Sequence, residues 1–72
     1  MPTVKQLRDL AILTQAELAE EVGVSVTTIS HWETGSKRPR ASNIRKLAKV
    51  LGVSPQEVLA AINETSSQQK QS

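Results

Sequence analysis

The stretch TQAELAEEVGVSVTTISHWETG, residues 14–35, decides the fold. Thr14, followed three residues on by Glu17, is a capping box: the hydroxyl takes the N3 amide and the glutamate reaches back to the cap, so a helix starts here. Leu18, Ala19 and Val22 recur at helical spacing and give that helix one apolar face. Gly23 stops it in the left-handed conformation that glycine tolerates best. Only Gly23 and Val24 stand before the next start at Ser25. The helix capped by Ser25 holds Ile29 and Trp32 on one side and ends at Gly35. Two short helices across so tight a turn predict a helix-turn-helix joint, with Ala19 small enough for the crossing and Val24 as an apolar plug.

The flanks read as three further helices. Thr3 with Gln6 opens a first helix over about residues 4–11, with Val4, Leu7, Leu10 and Ala11 expected inward. Beyond the loop SKRPR, residues 36–40, a fourth helix covers 41–51. Its Ala41, Ile44, Leu47, Ala48 and Leu51 are expected inward, and Gly52 closes it. Ser54, Pro55 and Glu57 then supply a cap, a proline at N1 and a glutamate at N3. That fifth helix carries Val58, Leu59 and Ile62. After Asn63 the run ETSSQQKQS has no apolar residue and predicts a disordered polar tail over 64–72. With no strand pattern and no repeat, the expected fold is all-α: a compact five-helix domain over residues 1–63.

Composition narrows the chemistry. Seventy-two residues make one small domain with a simple core. There is no cysteine, which removes disulfides, thiolate zinc sites and a cysteine nucleophile together. His31 is the only histidine and lacks clustered acids, so no metal and no cofactor is expected. Glu20 and Glu21 are adjacent on a helix and do not converge, and no phosphate-binding glycine loop is present, so an enzyme is not expected. The N-terminus lacks a signal peptide and no run approaches a membrane span, which predicts a cytoplasmic protein without a membrane partner.

Net charge is only +2, yet its distribution is uneven. Residues 17–33 hold acids and no Lys or Arg, whereas residues 37–49 hold Lys37, Arg38, Arg40, Arg45, Lys46 and Lys49 and no acid. A concentrated basic stretch suits a polyanion, because neutralised phosphates release counterions; a solvated helix face has the same composition. The third helix adds a second sign. With Ile29 as the core direction and 100° per residue, Trp32 and Glu33 fall inward, while Thr27 and His31 face away, flanked by Thr28 and Ser30. Val26 sits in the first turn. This outer face is small, uncharged and able to donate or accept, so its hydroxyls can bond base edges in a DNA major groove and its methyls can touch a thymine methyl. It lacks the bidentate Arg, Asn or Gln contacts that read bases most strongly, so DNA shape and backbone contacts are expected to carry much of the discrimination.

The chain resembles the lambda-repressor-like, or Cro/repressor-type, helix-turn-helix family. The resemblance lies in Leu7-Arg8, LTQAELA (residues 13–19), VGVS (22–25), ISHWETG (29–35), Pro39 and LAKVLGV (47–53), together spanning about residues 4–62. It implies that Gln15 contacts a DNA phosphate and that Val26, Thr27 and His31 contact bases. It further implies that Ser25 and Thr28 touch the backbone, and that Lys37, Arg38 and Arg40 line the backbone from the loop. It also implies a buried ion pair between Arg8 and Glu33. Two positions depart from the family pattern. Ile12 stands where many members have glycine, and a β-branched residue there resists the left-handed cap that would end the first helix; Arg40 stands where a capping residue is common.

The expected function is a transcriptional regulator, a repressor by type, that binds double-stranded DNA as a homodimer on a two-fold symmetric site, with Val58 and Ile62 as candidates for the dimer surface. No small-molecule effector is expected to act within these residues. The competing expectation is a protein-interaction module of the same fold, antitoxin-like or coactivator-like.

Overall fold

A computed structural model describes residues 2–70, with side chains described through Thr65. Five helices follow one another, α1 (Val4–Leu10), α2 (Gln15–Val22), α3 (Val26–Thr34), α4 (Ala41–Leu51) and α5 (Pro55–Lys70), with no strand among the described residues.

Four of the five starts are made by local side-chain caps. Thr3 Oγ1 accepts from Gln6 N at 3.2 Å while Thr3 N donates to Gln6 Oε1 at 2.8 Å. The same reciprocal pair forms at α2, where Glu17 N donates to Thr14 Oγ1 and Thr14 N to Glu17 Oε1. It recurs at α5 between Ser54 and Glu57. These boxes satisfy amides that a helix leaves without internal partners. α4 has none: Arg40 is its N-cap and makes no side-chain bond to the helix, and Ser42, inside the first turn, is exposed.

The core draws on every element. The largest fully buried side chains are Val4, Leu18, Ile29, Leu47 and Val58, one from each helix. α2 packs on α3 and α4, and α5 packs on α4, α3 and α1. Trp32 and Ala19 close the core around the joint, and Val24 packs against it from the turn.

Four expectations need correction. Leu10 is 75% exposed. Taking Val4 as the inward direction, 100° per residue places Leu7, Arg8 and Ala11 within about 60° and Leu10 about 120° away. Arg8 therefore takes the inward place. Ala41, the first residue of α4, is exposed. Leu59 is 43% exposed, whereas Val58 and Ile62 are buried in the core and unavailable for a dimer contact. Finally, α5 runs past Asn63. Thr65 is buried, and its Oγ1 donates to Ala61 O at 2.8 Å and accepts from Val4 N at 3.3 Å. This contact with α1 carries the helix into a stretch without apolar residues. Residues 71–72 of the expected tail lie outside the described residues.

The end of α1 is well defined. The helix stops at Leu10, and Ile12 follows with φ 59°. The chain adopts the left-handed turn with isoleucine in place of glycine.

Candidate functional site

Arg8 and Glu33 meet as the family pattern implies. Arg8 Nε donates to Glu33 Oε2 and Nη2 to Oε1 at 3.2 Å, with the two side chains 9% and 4% exposed. Arg8 Nη1 also donates to Leu13 O at 2.8 Å, tying α1 to the chain just before the Thr14 cap. The hydrogen bond to Glu33 raises the Arg8 pKa above the ordinary arginine value, against the lowering effect of burial. Gln15 joins the cluster, its Nε2 donating to Glu33 Oε1 at 2.9 Å. Its neighbours in sequence hold no signal for this bond, because the partner is eighteen residues away.

The outer side of α3 is open. Ser25, Val26 and Thr27 are exposed, and Thr28, Ser30 and His31 are half-buried. Ser25 Oγ accepts from Thr28 N at 3.1 Å and lies 2.9 Å from Thr28 Oγ1. Between two hydroxyls one proton makes that bond, which leaves the other O–H free for an outside acceptor. The side chains of Thr27 and His31 make no hydrogen bond or ion pair among the described residues, and Val26 and Thr27 are exposed.

The loop after α3 is organised by one carbonyl. Gly35 N and Lys37 N both donate to His31 O, at 3.1 and 3.3 Å, and Thr34 Oγ1 joins them at 3.3 Å. Gly35 takes φ 83°, which reverses the chain beside α3. Pro39 is buried and fixes the far end of the loop. Lys37, Arg38 and Arg40 are exposed between these anchors. Arg38 Nη2 donates to Asn63 Oδ1 of α5 at 3.0 Å, a contact the sequence did not signal. Lys37 and Arg40 form no ion pair among the described residues, whose three salt bridges all involve Lys5 or Arg8.

The arrangement therefore joins three features around α3: a small, uncharged outer face, a flanking loop of exposed cations, and Gln15 held at the start of α2. Val50 with Ala11 and Leu13, and Ile44 with Pro55 and Leu59, line open grooves to which α3 contributes no residue.

Known proteins resemble this chain in sequence. The family model described as "Helix-turn-helix" matches residues 4–58. The HTH-type transcriptional activator BcrR of Enterococcus faecalis is 39% identical over 57 residues, covering 79% of this chain and 28% of that protein. The cryptic phage CTXphi transcriptional repressor RstR of Vibrio cholerae is 38% identical over 45 residues, 62% of this chain and 40% of that protein. The type II methyltransferase M.Sau96I of Staphylococcus aureus is 34% identical over 56 residues, 78% of this chain but 13% of its own length. The chain thus spans well under half the length of each of these relatives.

Proposed function

The chain belongs to the helix-turn-helix family, in its Cro/repressor-type branch, and from this premise we propose that it is a sequence-specific DNA-binding transcriptional regulator, a repressor, whose α3 enters the major groove of double-stranded DNA. The observation that carries the reading is the outer face of α3, uncovered and uncharged, set beside the exposed cations of the 36–40 loop. In this reading Val26, Thr27 and His31 face base edges. Gln15, Ser25, Thr28, Lys37, Arg38 and Arg40 face the backbone, and Arg38 exchanges Asn63 for a phosphate. Two copies bind a two-fold symmetric site in the cytoplasm. With Val58 and Ile62 in the core, Leu59 is the exposed large apolar side chain that α5 still offers for a contact between copies. No catalysis is assigned to these residues, since the methyltransferase relative is matched over only 13% of its length.

The experiment is a binding titration over a range of salt with two variants. Thr27→Ala with His31→Ala flattens the preference between DNA sequences. Arg38→Ala weakens all sequences alike and lowers the salt slope by about one. Salt-independent behaviour, with no preference among duplexes in the unaltered protein, would instead identify a protein-docking module.

A further inference from the structure

We propose that Glu33 is a positioning residue for the DNA backbone contact, its buried carboxylate holding the Gln15 amide with an N–H turned toward the phosphate. The inference rests on the reading above that Gln15 faces a phosphate, and it adds what sets the geometry of that contact.

The carboxylate is fixed on both oxygens. Oε2 accepts from Arg8 Nε, and Oε1 accepts from Arg8 Nη2 and from Gln15 Nε2 at 2.9 Å. At 4% exposure the Glu33 side chain has no room to release one partner and turn to water. An amide nitrogen carries two hydrogens and the amide oxygen none. One Nε2 hydrogen is taken by Glu33, which fixes the amide plane and excludes the flipped orientation, because a flip would set the amide oxygen against a carboxylate. What remains on the nitrogen is a second N–H, the group a phosphate oxygen accepts from. An unrestrained glutamine presents its oxygen as readily as its nitrogen, and phosphate repels the oxygen.

The same carboxylate stands on α3, two residues after His31. One buried anion therefore ties the backbone contact at the start of α2 to the helix that faces the bases. Arg8 holds that anion and, through Leu13 O, the segment leading into α2. The Arg8–Glu33 pair thus acts on binding as well as on folding.

Two double variants separate these roles. Arg8→Met with Glu33→Gln and Arg8→Met with Glu33→Met both remove the charges together, so neither leaves a lone buried ion. They differ in whether position 33 offers Gln15 an acceptor. Affinity is measured on a mixed-sequence DNA duplex at low salt, corrected for the folded fraction of each variant. The Glu33→Gln double variant is expected to bind within about twofold of the unaltered protein and the Glu33→Met double variant about tenfold more weakly, the worth of one hydrogen bond to a charged acceptor. Gln15→Ala is expected to cost about tenfold in the unaltered protein and under about twofold in the Glu33→Met background. Equal affinity of the two double variants, with Gln15→Ala still costing tenfold in each, overturns the positioning role and leaves the phosphate contact standing. No loss from Gln15→Ala in the unaltered protein overturns the contact itself. If the Glu33→Met double variant does not fold, the side-chain amide proton resonances of Gln15 in the unaltered protein decide. Addition of duplex should shift the outward proton alone, and equal shifts in both protons, or in neither, contradict the proposal.

Discussion

Ile12 holds a left-handed backbone, φ 59°, in the turn that joins α1 to α2. A Cβ in that conformation costs about 1–2 kcal/mol, and β-branching makes it worse. The side chain is 84% exposed, so little burial offsets the strain. Ile12→Gly is therefore expected to stabilise the domain by about 0.5–1 kcal/mol once the greater freedom of the unfolded glycine is counted. A denaturant midpoint that rises with an unchanged m-value checks it. Arg8 makes the opposite case. Arg8→Ala leaves Glu33 as an uncompensated buried charge and is expected to cost about 3–5 kcal/mol, read by the same unfolding experiment; unaltered stability would reject the pair. The pKa shift agrees in sign. Since the folded value of Arg8 is raised, its contribution is fully present below the ordinary arginine value and lost only at still higher pH, so the arginine adds no pH dependence to stability near neutrality.

Helix starts and stops were legible because caps act over three or four residues. The boxes at Thr3, Thr14 and Ser54 all form, and α2, α3 and α4 all end on glycines with positive φ. The boundaries that sequence misplaced depend on partners far along the chain. Leu10 looked inward by type, yet the turn angle belongs to Arg8, whose place inside is licensed only by Glu33. α5 continues past the last apolar residue because Thr65 docks on Val4, sixty-one residues away. Thr65→Val should leave the Val4 amide without its buried partner and cost about 1–3 kcal/mol. Thermal unfolding checks this, and a chain shortened after Asn63 should lose at least as much. At the turn between α2 and α3, a Cβ added to Gly23 meets no atom within 4 Å, so only its φ of 86° opposes a side chain. Gly23→Ala is expected to cost about 1–2 kcal/mol from the backbone alone. Urea unfolding measures that cost, and binding by the folded fraction should be unchanged.

The whole molecule places a charge-free helix face beside a cationic loop and keeps both clear of the core. The outer face of α3 was legible from the 100° periodicity of a helix about Ile29, and the loop cations from the charge run at 37–40. Two contacts were not legible: Gln15 with Glu33, and Arg38 with Asn63, each bridging segments that only tertiary folding brings together. The proposed function follows from the uncovered side of α3, so it is tested by asking whether that side selects DNA. Repeated selection from a random-sequence DNA pool, run in parallel with the unaltered protein and with the Thr27→Ala, His31→Ala variant, does so directly. The account predicts one enriched motif for the unaltered protein, two-fold symmetric with half-sites about one helical turn apart, and loss of that motif in the variant while it still binds DNA at low salt. A pool that stays random for the unaltered protein, or an identical motif recovered by the variant, would contradict it.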